Sequence, residues 1–334
     1  MNRTDGCVAR SGVFIAVLCA TSVAAMAQPL PAADHHQHLV SPAIVALLSG
    51  EGDEAPQSRL AVDIIAQLDA AGIRRAAVMS AAYVFGSPVR SVGDEYAKVR
   101  AENDWTSAQI APYNDRLLGF CSLNPLKPYA LDEIARCARD PNLEHGIKLH
   151  FGSSDVRLAD EAHVEQLRQV FRAANDHRMA IVVDFQPLEA QRASYGVAQA
   201  RVFLEQLLPE APDVPVQIAQ MAGGGNSYDA ATDSGFAFLA DAVAARDPRT
   251  ARLWFDVTSV VSARLSPVTA TLVTKRIRQI GVDRIVFASD QMSADESPCA
   301  RWSEFLRLPL STAEFRTIAT NVVPYLPRIS RLSL

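Results

Sequence analysis

The stretch Asp34-His35-His36-Gln37-His38-Leu39-Val40 holds three of the chain's seven histidines within four positions. His36 and His38 lie two residues apart, so on an extended strand both imidazoles share one face. Two neutral imidazoles that converge at a strand end suit a borderline divalent ion such as zinc. The alternative is a histidine-rich patch that reflects composition alone. The rest of the chain decides between these two interpretations.

Residues 1–27 show the order of features that is typical of a cleaved signal peptide. Two arginines precede an apolar run at 12–20, and Ala25-Met26-Ala27 then supplies a small-x-small cleavage pattern. The apolar run is too short to span a bilayer. We therefore expect a secreted protein, periplasmic in a Gram-negative source, without membrane attachment after signal removal. Residues 28–334 are expected to form a single domain.

The composition excludes several partners. The formal net charge of −5 leaves no basic surface for nucleic acid or an anionic membrane. A small-molecule substrate remains the expected partner. Beyond the predicted signal peptide, Cys121, Cys137 and Cys299 allow one disulfide in an oxidising compartment, and their spacing does not identify the pair. Their spacing also lacks the CxxC pattern of a cysteine metal site.

Short β-rich runs alternate with amphipathic segments eight times between residues 32 and 290. Near-continuous apolar runs such as Leu117–Leu123 and Ala180–Phe185 are typical of buried parallel strands. Eight strand–helix units predict an α/β fold, a (β/α)8 TIM barrel of the metal-dependent hydrolase type. A doubly wound open sheet is the alternative, and it is disfavoured because no glycine-rich phosphate loop follows the first strand.

In such a barrel the chemistry lies at the C-terminal ends of the strands. Polar residues end five of the predicted strands: His36 and His38 on the first, Lys148 and His150 on the fourth, Asp184 on the fifth, Gln220 on the sixth and Asp290 on the eighth. Barrel closure makes the eighth strand a neighbour of the first. Asp290 is therefore expected to lie beside the two histidines.

These motifs resemble the amidohydrolase superfamily, specifically its amidohydrolase-related (amidohydrolase-2) group, which includes hydrolases and non-oxidative decarboxylases. The resemblance runs from about Asp34 to Pro324. It rests on the following segments: Asp34-x-His36-x-His38, Gly146-Ile147-Lys148-Leu149-His150, Gly223-Gly224-Gly225 and Phe287-Ala288-Ser289-Asp290. It implies one divalent metal ion, zinc in the first place and manganese as the alternative. The implied ligands are His36, His38 and Asp290, and Asp290 also handles the proton of the attacking water.

The chain departs from the family pattern at two positions. The family usually has a metal-binding histidine at the end of strand five, where this chain has Asp184. As a carboxylate, Asp184 either ligates the metal and favours harder ions such as manganese, or pairs with Lys148. The family also has a histidine before the strand-six glycines, where this chain has Gln220. A glutamine can hydrogen-bond a substrate oxygen but cannot shuttle a proton.

Three further residues have two interpretations each. His150 either supplies a catalytic imidazole or is a histidine at the edge of the core, satisfied by a carboxylate. Lys148 either binds a substrate carboxylate or neutralises Asp184. Asn226, just after the glycines, either positions substrate or caps a loop.

The resulting hypothesis is a metal-dependent hydrolase that acts on a small ester, lactone or amide through a metal-activated water. Asp290, His150 and Gln220 are the expected catalytic residues. A non-oxidative decarboxylase on the same site is the first alternative. A catalytically degenerate barrel that only binds a small molecule is the second, because Asp184 and Gln220 replace two family histidines. Substrate identity stays open, as does the oligomeric state, with a homo-oligomer among the alternatives.

Overall fold

The structure, a computed structural model, describes residues 29–49, 57–186, 195–222, 228–256, 261, 265–291 and 297–326. Eight parallel strands pair in chain order within one sheet. They are β1 Asp34–His38, β2 Ala76–Met79, β3 Leu117–Ser122, β4 Gly146–His150, β5 Ala180–Asp184, β6 Val216–Ile218, β7 Leu253–Asp256 and β8 Ile285–Val286.

Backbone hydrogen bonds join the last strand segment to the first. The amide of His35 donates to the carbonyl of Phe287 (3.0 Å), and the amide of Asp290 donates to the carbonyl of His36 (2.8 Å). A parallel bridge also links Gln37 to Gln291. The predicted (β/α)8 barrel is therefore confirmed, with a nearly closed wall.

Helices cover the outside of this wall. They are α1 Pro42–Leu48, α2 Ala61–Ala71, α3 Glu95–Ile110, α4 Ala130–Cys137, α5 Glu161–Asp176, α6 Val197–Val202, α7 Ala230–Ala244, α8 Pro267–Ile280, α9 Pro298–Phe305 and α10 Thr312–Thr320. Helix α1 was not predicted from the sequence, but its start has the usual signals. Ser41 caps it by accepting from the amide of Ile44, and Pro42 occupies its first turn. No helix of the described part of the chain is long and apolar enough to cross a membrane.

The core has an outer and an inner layer. The large outer cluster lies between the strands and the helices, and all residues of most strands are buried. A smaller inner cluster, with Met79, Phe120 and Val182, fills the barrel interior and includes Leu326 from the C-terminal segment. Tyr325 packs edge-on against Phe120 with ring centroids 5.0 Å apart. The C-terminal segment therefore contributes side chains to the interior of the barrel.

Two strand ends differ from the prediction. Gln220 was predicted to end the sixth strand, but β6 ends at Ile218, and Gln220 and Met221 adopt left-handed backbone conformations with φ 55° and 48°. The turn lets the amide of Gln220 donate to Asp256 Oδ1 (2.8 Å), a bond that a continued strand would not direct there. Strand β8 is likewise shorter than predicted, and Asp290 has a φ of 48°.

A disulfide between Cys121 and Cys137 joins β3 to α4, with the Cα atoms 6.1 Å apart. It identifies the pair that the sequence left open. The predicted signal peptide at 1–27, the glycines at 223–225 and the candidate substrate residue Asn226 lie outside the described residues.

Candidate metal centre

Three predicted ligands converge at the C-terminal end of the barrel. The Nε2 atoms of His36 and His38 lie 3.1 Å apart. Oδ1 of Asp290 lies 3.2 Å from His38 Nε2 and 3.6 Å from His36 Nε2. The structure thus brings together residues from the first and last strand segments, separated by about the whole length of the barrel domain.

A bulge in β1 contributes to this arrangement. Asp34 pairs with Ala76 and Gln37 with Val78, so β1 has one residue more than β2 across this interval. The extra residue lets the consecutive side chains of His35 and His36 both face inward. His35 contacts the ring of Tyr325, whereas His36 meets His38. Bulges are common next to active sites because they redirect a side chain without ending the strand.

The strand that carries the histidines is held by a buried hydrogen-bond network. Asp34 accepts from the amide of Ser289 (3.0 Å) and from Gln37 Nε2 (2.6 Å), so its carboxylate ties β1 to the segment that leads to Asp290. Burial raises the pKa of the Asp34 carboxyl. The first residue of the DxHxH motif therefore has a structural role, and the histidines take the inward positions.

Asp256 at the end of β7 lies behind His36. Its Oδ2 is 3.6 Å from His36 Nδ1, and it also accepts from Gln217 Nε2 at 2.8 Å. Burial alone would raise the pKa of the Asp256 carboxyl, but the hydrogen bond and charge of His36 lower it overall. A carboxylate at Nδ1 favours the tautomer whose Nε2 lone pair faces the site, as in carboxylate–histidine–metal arrangements.

The protonation states suit metal ligands. Burial lowers the pKa of His38 to about 4, so its imidazole is neutral at neutral pH. Burial alone would raise the pKa of the Asp290 carboxyl, but the neighbouring His36, the hydrogen bond from His38 and the charge of Lys148 hold it well below its usual range. The site therefore presents imidazole nitrogens and an ionised carboxylate.

The three donors fit a divalent cation. Ligands that each lie about 2.1 Å from one ion are separated by roughly 3.0–3.5 Å from one another. The observed separations of 3.1 and 3.2 Å fall within that range, and the third, 3.6 Å, lies just above it. A cation held by both imidazoles would take the Nε2 lone pair of each ring. His36, His38 and Asp290 are therefore the residues that would hold the metal.

The other predicted residues form a second group beside this trio. Lys148 Nζ lies 3.0 Å from His36 Nε2 and 3.8 Å from Asp184 Oδ2, and His150 Nε2 lies 3.5 Å from the same oxygen of Asp184. The ligand atoms of His36, His38 and Asp290 all lie within 4.8 Å of one another, and Asp184 does not belong to this group. Its ligation of the metal stays a prediction, and the structure places it against Lys148 and His150.

His150 has partners at both nitrogens. Its Nδ1 accepts from the amide of Ser153 (3.1 Å), which leaves the proton on Nε2 in the neutral ring, directed at Asp184. Burial lowers the pKa of His150, and the ring of Tyr83 packs over it at 5.0 Å. These contacts match the interpretation of His150 as a histidine satisfied by a carboxylate.

Gln220 contacts Asp290, one of the three predicted metal ligands, directly. Its Nε2 donates to Asp290 Oδ2, and its Oε1 accepts from Gln186 Nε2 at 2.8 Å. The side-chain amide thus has a defined orientation and fixes the plane of the Asp290 carboxylate. Gln220 acts on Asp290, a role that the sequence analysis did not assign to it.

Tyr83 and Asp256 are site residues that were not predicted from the sequence. Tyr83 lies in the turn Ala82–Val84 after β2, and burial, together with the charges of Asp184 and Asp290, raises the pKa of its hydroxyl. Tyr83 is not one of the polar residues that end the predicted strands, so the sequence pattern did not indicate its place in the site. Asp256 did carry a signal, since it is the acidic residue that ends the apolar run Leu253-Trp254-Phe255.

Comparisons with known proteins agree with this fold. The family model described as amidohydrolase matches residues 33–320. No curated protein matches the chain in sequence. The fold is similar to that of 5-carboxyvanillate decarboxylase LigW from Sphingomonas paucimobilis, with a TM-score of 0.59 and 16% identity, covering 87% of this chain and 96% of that one.

Two further solved structures have the same fold. A 5-carboxyvanillate decarboxylase from Novosphingobium aromaticivorans, complexed with manganese and 4-hydroxy-3-methoxy-5-nitrobenzoic acid, has a TM-score of 0.60 and 15% identity, covering 88% and 95% of the two chains. A protein described as a probable 2-pyrone-4,6-dicarboxylic acid hydrolase from Acinetobacter baumannii has a TM-score of 0.53 and 15% identity, covering 86% and 96%. At these identities the likeness shows the fold alone.

Proposed function

Because the chain belongs to the amidohydrolase-related family of the amidohydrolase superfamily, we propose that it is a metal-dependent hydrolase of a small ester, lactone or amide. The observation that carries this proposal is the ionised carboxylate of Asp290, which lies 3.2 Å from His38 Nε2 and 3.6 Å from His36 Nε2. A carboxylate in this position can both hold a cation and accept a proton.

A divalent ion held by His36, His38 and Asp290 would lower the pKa of a water and polarise a substrate carbonyl. The residues of the chain supply the remaining functions. Asp290 accepts the proton of the attacking water, and Gln220 keeps its carboxylate oriented by donating to Oδ2. Asp256 holds His36 in the tautomer that faces the site. Two imidazoles and a carboxylate serve either zinc or manganese.

The test uses protein purified without chelator. We expect about one divalent ion per chain and acid release from a panel of carboxylate-bearing esters and lactones, followed in a pH-stat. The variant His36→Ala/His38→Ala should lose both the ion and the activity. The variant His163→Ala/His177→Ala, which removes two histidines outside the site, is the matched control. Full hydrolysis by the first variant contradicts the proposal.

Non-oxidative decarboxylation is a second candidate with comparable support. Lys148 places a buried ammonium 3.0 Å from His36 Nε2, where a substrate carboxylate would find a positive partner. Two of the three solved structures described above are decarboxylases, and one of them holds manganese. In this reaction the bond between carbon and the carboxylate breaks and carbon dioxide leaves, and Asp290 passes to that carbon a proton that it has first accepted from water.

The two reactions differ in their products. Release of 13C-labelled carbon dioxide from a carboxyl-labelled aromatic acid identifies decarboxylation, whereas acid release from an ester without carbon dioxide identifies hydrolysis. A third result is activity that appears only in Asp184→His/Gln220→His. That result would show that the natural chain is a binding barrel without catalysis.

We also propose that the protein is exported. The disulfide between Cys121 and Cys137 supports an oxidising compartment, and residues 1–27 have the features of a signal peptide. Expression of the full chain in a Gram-negative host should yield periplasmic protein whose first residue is Gln28, as determined by N-terminal sequencing. Retention of residues 1–27 in the cytoplasm contradicts export.

A further inference from the structure

Lys148 is a buried cation next to His36, one of the proposed metal ligands. Its side chain is 1% exposed, and its Nζ lies 3.0 Å from His36 Nε2 and 3.8 Å from Asp184 Oδ2. An ammonium group has three N–H donors and no acceptor, so burial makes it depend on nearby lone pairs. His36 supplies one of these lone pairs through its Nε2.

The lone pair of His36 Nε2 can serve only one partner at a time. The Nδ1 atom faces Asp256 Oδ2 at 3.6 Å, so Nε2 is the ring atom directed at His38 and Asp290. A ring nitrogen has a single in-plane lone pair, which either accepts an N–H bond or binds a cation. The ammonium of Lys148 and a divalent ion therefore need the same atom.

Asp184 offers Lys148 another acceptor. The carboxylate is 5% exposed, and its Oδ1 has no hydrogen-bond partner among the residues that the structure describes. Its Oδ2 faces the Nε2 atom of His150, whose orientation is held by the amide of Ser153. Oδ1 is thus an unused, buried acceptor on the carboxylate nearest the ammonium.

We infer that Lys148 competes with the metal for His36 and that Asp184 receives the ammonium when the metal binds. The inference rests on the proposed metal site and adds a positioning pair to it. Asp184 then stands where the family usually has a third histidine, and its pairing with Lys148 sets the affinity of the site through His36. Asp184 acts on Lys148 and does not ligate the ion.

The experiment measures Mn²⁺ affinity directly. The electron paramagnetic resonance signal of free Mn²⁺ is followed during titration of the wild-type chain, Lys148→Met, Asp184→Asn and the double variant Lys148→Met/Asp184→Asn. The control is Lys127→Met, which removes a lysine from an ion pair with Glu95 (2.7 Å). Circular dichroism verifies that each chain is folded.

Competition predicts a specific pattern. Lys148→Met should bind Mn²⁺ about tenfold more tightly than wild type, because one charge-assisted hydrogen bond no longer opposes binding. Asp184→Asn should bind it about tenfold more weakly, because the second acceptor of the displaced ammonium loses its negative charge. The double variant should match Lys148→Met, and Lys127→Met should match wild type. A merely structural role for Lys148 would not increase affinity.

Each other outcome overturns the inference. Unchanged or weaker binding by Lys148→Met shows that Lys148 does not compete with the ion. If the gain disappears in the double variant, Asp184 is a metal ligand. The wild-type titration tests the proposed function separately, since absence of Mn²⁺ and Zn²⁺ binding in wild type and in every variant removes the metal site itself. The double variant also keeps the test valid if Lys148→Met alone fails to fold with Asp184 unpaired.

Discussion

Asp34, His35 and His36 are consecutive, yet each side chain has a different role. Each role follows from the groups that surround the side chain. Asp34 is buried among donors from Ser289 and Gln37, and it joins two strands. His35 donates from Nδ1 to the carbonyl of Phe287 (2.8 Å) and accepts from the amide of Val323 at Nε2 (3.2 Å). Of these three residues, only His36 presents an imidazole Nε2 to the site.

His35 makes the stability of the protein depend on pH. Burial lowers its pKa from 6.5 to about 4, so between these values the unfolded state binds more protons than the folded state. Stability therefore rises with pH across this window and is lost as the pH falls. The contribution is about 3 kcal/mol, since each pKa unit corresponds to about 1.36 kcal/mol.

The prediction is that wild type loses about 3 kcal/mol more than His35→Gln when the pH is lowered from 6.5 to 4. Urea denaturation of both chains in EDTA measures the difference without metal binding. Equal losses in the two chains would show that His35 does not titrate in this way.

At the scale of elements, strand β3 is confined between its neighbours. The amide of Gly119 donates to the carbonyl of Asn142 (3.1 Å), and a Cβ on Gly119 would lie 2.2 Å from that same oxygen. The backbone at Asn142 cannot move aside as the end of a flexible side chain can. A glycine is therefore required where β3 passes the segment that leads into β4.

Gly119→Ala should lower the free energy of unfolding by about 2 kcal/mol, because the added methyl group overpacks the contact with backbone. Gly93→Ala is the control, since a Cβ there meets no heavy atom within 4 Å. Its expected change is within about 0.5 kcal/mol. Guanidinium denaturation compares both with wild type, and equal effects would refute the steric argument.

The disulfide fastens α4 to β3 across a sequence separation of 16 residues. Closing a loop of this length stabilises the folded state by about 3 kcal/mol. Cys121→Ala and Cys137→Ala should each lose about this amount in urea denaturation, and the double variant should lose no more, because either change opens the bridge. Additive small losses would show that the sulfur atoms are not bonded.

At the scale of the molecule, the metal centre lies where the barrel closes. His36 and His38 belong to the first strand, and Asp290 follows the eighth. An ion bound by all three would add a link between the two ends of the sheet. Binding to the folded state alone stabilises it by about 2.7 kcal/mol at a hundredfold excess over Kd.

Addition of Mn²⁺ should therefore raise the Tm of wild type by several degrees in differential scanning calorimetry. His36→Ala/His38→Ala should show no shift, whereas His163→Ala/His177→Ala should shift as wild type does. An equal shift in the chain without His36 and His38 would place the stabilising ion elsewhere.

Local pattern was sufficient for most of the architecture. Near-continuous apolar runs and period-3.6 hydrophobicity identified eight strand–helix units. Closure of eight parallel strands then placed Asp290 beside His36 and His38. These conclusions follow from the sequence because each depends on alternation along one segment or on the order of segments.

Only the tertiary structure decided the partners within the site. The β1 bulge, the turn that takes Gln220 off the strand, Asp256 behind His36 and the position of Lys148 between His36 and Asp184 all depend on distances between different strands. Such distances are set by packing of the whole barrel, and no local pattern encodes them. The DxHxH stretch by itself identified a pair of ligands, whereas the fold determined which groups surround them and therefore how tightly they are expected to hold a metal.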